Sequence, residues 1–291
     1  MQRIRLTATL AAALTIVLFS SAAAQTRNAG RALAATLVPG VPDSAVLTAL
    51  RFRSIGPAVM SGRISDIAVP MSGRPGERLA KTVYVASAAG GVWKTTNGGV
   101  TWSPIFDSQR VSSIGAVAVA PSNPDIVWVG SGESNNLRSS SWGEGIYKST
   151  DAGKTWTHMG LRTSQHIARV LVHPANPDIV FVAAMGPLWT SAGERGLFRT
   201  TDGGRTWTNL KSLGQWTGFT DVAFDPSNPN TVYAASYQRE RKAYSFVAGG
   251  PESGIWKSVD GGNTWTQLMQ GLPAGDKGRI GISVSKSNPS T

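Results

Sequence analysis

The stretch Thr200–Trp207 reads Thr-Thr-Asp-Gly-Gly-Arg-Thr-Trp, and three further segments of the chain follow the same template. The template segments, called boxes below, are Thr95–Trp102, Ser149–Trp156, Thr200–Trp207 and Ser258–Trp265, with third positions at Asn97, Asp151, Asp202 and Asp260. These third positions are 54, 51 and 58 residues apart, and an aromatic and a basic residue precede each box. Self-similarity at so regular a period indicates one supersecondary unit per interval.

Each box has the chemistry of a tight β-hairpin. An Asp or Asn side chain accepts hydrogen bonds from backbone N–H groups just ahead of it, and Gly supplies the positive φ that the turn needs. A Trp at a fixed place in every unit is predicted to pack as a wedge between neighbouring units. We therefore predict structural roles for Asn97, Trp102, Asp151, Trp156, Asp202, Trp207, Asp260 and Trp265.

A second repeated element precedes the later boxes. The apolar run Ala116–Val119 leads through Pro121–Asp125 into the second run Ile126–Val129, and similar stretches begin at Val170 and Asp221. Each unit thus reads as strand, Asn-Pro corner, strand, variable loop, strand, box turn and strand. Four-stranded antiparallel units at this period are the blades of a β-propeller, so the sequence predicts an all-β fold.

These boxes resemble the Asp-box, or bacterial neuraminidase repeat. The chain resembles large bacterial exported proteins with sortilin-like propeller domains, often labelled glycosyl hydrolase-like, and Phe52–Pro57 and Ser61–Ile64 resemble the start of such a propeller. The resemblance covers residues 51–291, with Asn97 and Ala152 as departures from the box pattern. It is specific for fold and broad for function, because Asp-box propellers include sialidases, xyloglucan-cleaving enzymes, sortilin-type peptide receptors and photosystem assembly factors.

The first residues predict export. Arg3 and Arg5 form a basic region, Leu6–Phe19 is apolar, and Ala22–Ala24 provides a cleavage pattern, which together predict a signal peptide over residues 1–24. We expect a poorly ordered leader over residues 25–50 and a propeller over residues 51–291. The mature chain is then secreted or periplasmic, with no membrane span after signal cleavage. Without cysteine, disulfides contribute nothing to its stability.

The charge of +11 invites a nucleic-acid hypothesis, but Arg and Lys are scattered singly along the chain. We therefore expect no nucleic-acid partner. The three histidines, His158, His166 and His173, lack the spacing and carboxylate company of a zinc site, and the boxes lack the alternating acidic positions of a calcium loop. The sequence thus predicts neither a metal nor another cofactor.

Successive turns of an antiparallel meander alternate between the two ends of a blade. The short corners and box turns therefore share one face, and the variable loops share the other with the blade connections. This variable-loop face is the expected binding face, because its loops differ in length and content. The ligand-binding candidates there are Asn135, Arg138, Trp142, His166, Trp189, Trp216, Arg239 and Arg241.

Two functions stay open from the sequence. The first is a binding module that presents this face to a peptide or a glycan. The second is a glycoside hydrolase with Glu133 and Glu194 as the carboxylate pair that such chemistry requires. Against the enzyme, each loop carboxylate could simply pair with a neighbouring arginine, as Glu194 could with Arg195. Sialidase activity is not favoured, because Arg53–Pro57 only approximates the signature of that family.

A fifth unit is expected to begin at Arg279–Val284, and the sequence stops inside the corner that follows. Four complete boxes and a partial unit do not fit a closed four-bladed ring. The expectation is therefore an incomplete propeller whose remaining C-terminal blades are absent from this chain.

Overall fold

The computed structural model of the protein describes residues 62–70 and 81–289. In these two ranges the regular elements are 17 β-strands and a 3₁₀ turn at Arg162–Ser164. The signal peptide predicted over residues 1–24, the leader over residues 25–50 and the stretch Phe52–Pro57 lie outside the described residues.

The strands form four antiparallel sheets, each with a four-stranded meander, which we number as blades 1 to 4; in blade 4 a fifth strand pairs with the end of the second strand, outside the meander. The strands are β1 (Ile64–Ala68), β2 (Val83–Ser87), β3 (Val92–Thr95) and β4 (Ser103–Pro104) in blade 1; β5 (Ile114–Ala120), β6 (Asn123–Ser131), β7 (Ile146–Ser149) and β8 (Thr157–His158) in blade 2; β9 (Ile167–Val172), β10 (Val180–Ala184), β11 (Gly196–Thr200) and β12 (Thr208–Lys211) in blade 3; and β13 (Thr217–Asp225), β14 (Asn228–Arg241), β15 (Phe246–Ala248), β16 (Gly254–Ser258) and β17 (Thr266–Leu268) in blade 4. The predicted all-β fold of four-stranded blades is confirmed.

Two details differ from the sequence prediction. The corners of blades 2 and 4 are shorter than predicted, because Asn123 and Asn228 already pair as the first residues of β6 and β14. The variable loop predicted from Gln238 to Gly254 is partly a hairpin, in which the end of β14 pairs with β15. All residues of β15 are exposed, so this segment has no alternation of buried and exposed positions from which a strand could be predicted.

The hydrophobic core is divided among the three junctions between neighbouring blades. Tyr84 of blade 1 packs in one cluster with Val127 of blade 2, and Trp128 packs with Val182 of blade 3. Phe181 of blade 3 packs with Trp256 of blade 4. A single blade has two apolar faces to cover, so each blade depends on its neighbours for burial.

Two of the four box tryptophans, Trp156 and Trp207, bond across these junctions. The Trp156 indole donates to Ile105 O of the preceding blade at 2.7 Å, and Trp207 donates to Met159 O at 2.7 Å. Trp207 also meets Trp128 edge to face, with ring centroids 6.2 Å apart. Trp156 and Trp207 thus have the position predicted for an inter-blade wedge, since each indole links its own box to the sheet before it. The Trp265 indole instead donates to Gly262 O of its own box at 2.9 Å, and Trp102 in blade 1 is 40% exposed.

The basic residue that precedes each of the first three boxes makes a second link in the opposite direction. Lys94 donates to Ala152 O in the box of blade 2 at 2.8 Å, and Lys148 donates to Gly203 O in that of blade 3 at 3.1 Å. Arg199 likewise donates to the box of blade 4. Because charged donors form strong hydrogen bonds, the repeated basic position is explained by blade-to-blade contact.

Within a box the carboxylate organises the turn. Asp202 Oδ1 accepts the Thr206 N–H at 3.0 Å and the Thr200 hydroxyl at 2.7 Å, while Oδ2 accepts the Thr206 hydroxyl at 2.7 Å. The Thr200 hydroxyl in turn accepts the Gly204 N–H at 2.9 Å. The boxes of blades 2 and 4 repeat these contacts. Both carboxylate oxygens are thus used inside the turn.

The two departures from the box pattern keep the same turn. The Asn97 amide donates to the Thr101 hydroxyl at 2.8 Å, where the Asp boxes have the hydroxyl donating to the carboxylate. Its Oδ1 still accepts the Thr101 N–H at 2.9 Å. Ala152 takes a positive φ of 59°, in the left-handed region that Gly normally occupies. Asn and Ala therefore preserve the hairpin at these positions.

The box carboxylates make the free energy of unfolding depend on pH. Hydrogen bonds from the Thr206 hydroxyl and N–H hold the pKa of Asp202 far below its ordinary value, which is about 3.9. A depressed folded-state pKa adds stability that is present above the unfolded-state pKa and is lost as the pH falls below it. We expect Asp202→Asn, which can bond as Asn97 does, to be less stable than wild type at pH 7. The difference should shrink from about pH 4 downward.

Urea unfolding of both proteins between pH 2 and pH 7 measures this difference. Wild type and Asp202→Asn unfolding with a constant free-energy gap across that range would show that the carboxylate charge contributes nothing to the turn.

The residues predicted to start a fifth unit form no strand of their own within the part of the chain that is described. They nevertheless contact the first strand of blade 4: the Thr220 hydroxyl donates to Ile280 O at 3.1 Å, and Asp221 Oδ2 accepts the Ile282 N–H at 2.9 Å. Asp66 of blade 1 accepts the Val117 N–H of blade 2 in the same way. Residues 280–282 therefore lie where the first strand of a following blade would lie.

Candidate functional site

A crevice of about 560 Å³ lies on the face that carries the box turns, between the boxes of blades 2 and 3. Two of its polar lining residues already have partners within the protein. Asp202 is bonded within its own turn, and Lys148 bonds to Gly203 O across the junction. This crevice is a by-product of the blade contacts, so the variable-loop face is the better place to look for function.

Glu133, one of the two catalytic candidates, lies at the base of its loop with only 1% of its surface exposed. Its carboxylate accepts two hydrogen bonds from Arg63, at 2.6 and 2.7 Å, and one from Asn135 at 2.6 Å. Burial alone would raise the pKa of Glu133, but these hydrogen bonds outweigh it and lower the pKa. Glu133 is therefore held as an ion-paired carboxylate.

Glu194, the other candidate, lies at the surface of the blade 3 loop. Its Oε2 accepts the N–H of Thr163 at 2.9 Å and the Thr163 hydroxyl at 3.0 Å. The pairing of Glu194 with Arg195 considered from the sequence is wrong, because the Arg195 guanidinium turns inward to the carbonyls of Met185, Pro187 and Thr190. The carboxylate fixes the blade connection at the 3₁₀ turn.

Three of the predicted ligand-binding residues, Asn135, His166 and Arg239, belong to a largely buried polar cluster. Arg239 is 1% exposed and donates to Asn135 O at 3.3 Å and to Gly186 O at 2.9 Å, so it ties the blade 2 loop to the blade 3 loop. His166 is also buried, with Nδ1 2.7 Å from Glu133 O. Burial and the Arg239 charge lower the pKa of His166 to about 4, so its imidazole is neutral at pH 7. This cluster shapes the loops from beneath.

Trp142, in contrast to this buried cluster, has 68% of its surface exposed. It stands between two grooves that share Arg110 and Trp142. The first, the inter-blade groove, measures about 600 Å³ and is also lined by Glu144, Arg162, Thr163 and Gln165. The second, the serine groove, measures about 450 Å³ and is also lined by Arg138 and by Ser112, Ser113 and Ser139–Ser141.

The remaining candidates lie apart from these grooves or contact neighbouring side chains. The Arg195 guanidinium lies 6.0 Å from the centroid of Trp216, and that of Arg241 lies 4.8 Å from Phe246. Trp189 is 46% exposed on the blade 3 loop. Of the eight predicted ligand-binding residues, the structure thus places Arg138 and Trp142 together at an open surface.

Sequence reasoning missed two arginines. Arg63 precedes β1 and reaches Glu133 of blade 2, a contact across 70 residues that no local pattern marks. Arg162 lies in the 3₁₀ turn, where Leu161 and Gln165 take positive φ values of 54° and 56°. Positive φ at residues other than Gly is uncommon, so nothing in the sequence indicates this bend or that it directs Arg162 into the groove.

Within residues 62–70 and 81–289 no group of three or more His, Asp or Glu side chains could hold a metal ion. Over the same residues no helix is long and apolar enough to cross a membrane.

The sequence of this chain is similar to a family model and to several known proteins. The family model Sortilin-Vps10, described as sortilin, neurotensin receptor 3, matches residues 144–278. A xyloglucanase of Acetivibrio thermocellus is 27% identical over 236 residues, which cover 69% of this chain and 26% of the relative. A xyloglucanase of a Paenibacillus species is 26% identical over 231 residues, covering 69% of this chain and 21% of the relative. The chain thus spans about a quarter of the length of the curated relatives it matches.

A crystal structure of an ancestral GH74 enzyme superposes with a TM-score of 0.55 and 17% identity, over 73% of this chain and 26% of that chain. At that identity the likeness concerns the fold alone, and it agrees with the four blades described above. The resemblance read from the boxes is confirmed as a likeness by the family model, the relatives and the blades together: the chain is built of propeller-like blades with Asp-box hairpins and is similar to sortilin-like and glycosyl hydrolase-like propeller proteins.

Proposed function

We propose that this chain is a propeller binding module that presents its variable-loop face to a peptide or a glycan. The observation that carries the proposal is the exposed Trp142 indole between two open grooves, while Glu133 and Glu194 are held by partners within the protein. Aromatic faces stack on both sugar rings and peptide groups, so an exposed indole between two open grooves suits contact with either ligand.

The test is a screen of the full chain on glycan and peptide arrays, with Trp142→Ala as the variant. We expect Trp142→Ala to weaken binding at least about tenfold, which is 1.4 kcal/mol of binding free energy, with an unchanged melting temperature. Trp102→Ala is the matched control, since Trp102 is another half-exposed indole, in the box of blade 1. Equal affinity of wild type and Trp142→Ala for every ligand found would refute the proposal.

The second candidate function is a glycoside hydrolase, favoured by the two xyloglucanase relatives. A glycosidase needs a general acid whose pKa is raised, whereas the partners of Glu133 lower its pKa. Incubation with xyloglucan separates the two functions. Release of reducing ends by wild type that Glu133→Gln and Glu194→Gln abolish would establish the enzyme, and binding without release supports the module.

We also propose that the protein is exported. Support comes from the basic, apolar and small-residue regions within residues 1–24, whose order is that of a cleavable signal. N-terminal sequencing of the protein recovered from its native compartment would test this, with a new terminus near Gln25 as the expected result.

A further inference from the structure

We propose that the two grooves beside Trp142 bind an acidic polysaccharide, whose sugar ring stacks on the indole while its carboxylates pair with Arg110 and Arg162. This inference rests on the proposed binding function and names its ligand class.

The charge of the grooves is the first support. Arg110, Arg138 and Arg162 line them, and Glu144 is the one carboxylate among the lining residues. In the described part of the chain Arg110 makes no hydrogen bond or ion pair, so its guanidinium is available. An unpaired guanidinium beside an open groove offers a fork of donors that matches a carboxylate.

Glu144 does not neutralise this cluster. Its Oε1 accepts the Tyr147 hydroxyl at 2.5 Å, and its Oε2 lies 3.3 Å from Arg162 Nη1. A single carboxylate thus faces three guanidinium groups, of which Arg138 donates to Ala243 O at 3.2 Å. The grooves retain a net positive charge, which favours a ligand with several negative groups.

The other lining residues favour a sugar over a peptide. The serine groove is lined by five serines, of which Ser112, Ser139 and Ser141 are exposed and offer hydroxyl groups that suit the many hydroxyls of a polysaccharide. The other two, Ser113 and Ser140, are buried and bond within the protein. Many peptide-binding grooves instead present apolar pockets or a free strand edge to the ligand, and because Arg clusters also bind acidic peptides, polyglutamate is the competing probe in the test below. Openings on both sides of Trp142 also suit a chain that continues past the stacked ring.

The experiment measures binding of the full chain to polygalacturonate, to neutral xyloglucan and to polyglutamate, by affinity electrophoresis and calorimetry. The variants are Trp142→Ala and the double variant Arg110→Gln/Arg162→Gln. Arg205→Gln is the matched control, because Arg205 is an exposed arginine of a box turn on the other face. We expect polygalacturonate to bind best and to bind more weakly as salt is added, since salt screens exposed charges.

The double variant should weaken polygalacturonate binding at least about tenfold and remove most of its salt dependence, with the melting temperature unchanged. Arg205→Gln should stay within about twofold of wild type. Xyloglucan or polyglutamate binding through Trp142 as tightly as polygalacturonate would overturn this inference and leave the binding function standing. Binding of none of the probes would overturn this inference, and binding that Trp142→Ala does not change would overturn both.

Discussion

Trp207→Ala is expected to lower the free energy of unfolding by roughly 3 kcal/mol or more, because removing a large side chain from a packed junction leaves a cavity. The indole packs against Trp128 in the core between blades 2 and 3, and its N–H bonds to Met159 O. Urea unfolding followed by circular dichroism measures the effect. Asp202→Ala in the same box should cost less, since it removes hydrogen bonds at an exposed turn.

Trp102→Ala is the matched control for this variant. Trp102 occupies the same place in its box but is 40% exposed, and its truncation should cost about 1 kcal/mol. Equal losses for Trp102→Ala and Trp207→Ala would show that the indole stabilises its own hairpin and does not act between blades.

Gly132→Ala is expected to have a comparable or larger effect, of about 3 kcal/mol or more, from a strained φ and a backbone clash together. Gly132 has a φ of +87°, and a Cβ there would lie 1.7 Å from Gln165 O. That oxygen cannot move freely because it accepts the Gly143 N–H at 2.7 Å. The substitution therefore also disturbs the loop that carries Glu133 and the grooves.

Gly98→Ala separates strain from clash. Gly98 also has a positive φ, of +74°, but a Cβ there would meet nothing within 4 Å. Its cost should be that of the left-handed conformation alone, about 1 kcal/mol. Thermal melts of both variants give the comparison, and a Gly132→Ala protein as stable as Gly98→Ala would contradict the described packing of the blade 2 loop against Gln165.

The fold could be predicted from the sequence because its signals are local and repeated. Asp202 and Gly203 fix a hairpin whatever surrounds them, and the four boxes mark the period of the blades. The end of β14 was missed, since Arg239 and Arg241 read as a polar loop until β15 pairs with them. Strand pairing between exposed residues leaves no alternation of apolar and polar residues to read.

The site could be predicted only in part. An antiparallel meander dictates which loops share a face, so the sequence predicts Arg138 and Trp142 on the variable-loop face, where the structure has them side by side in one groove. The partner of Glu133 could not be inferred, because Arg63 reaches it from another blade and not from the same loop. The Arg239 side chain turns inward because a carbonyl group of another loop accepts its hydrogen bond. The composition of its own loop does not indicate that this carbonyl group lies there.

In this protein we expect the boxes to hold the blades together and the face with Trp142 to bind the ligand. Hydrogen exchange of the full chain, with and without the best ligand from the binding screen, tests it most directly. We expect the ligand to protect the backbone amides of residues 110–113, 138–144 and 160–165 from exchange, and to leave those of the box turns unchanged. Protection at the turn that includes Asp202 and Arg205, with none around Trp142, would place the ligand on the opposite face and contradict the account.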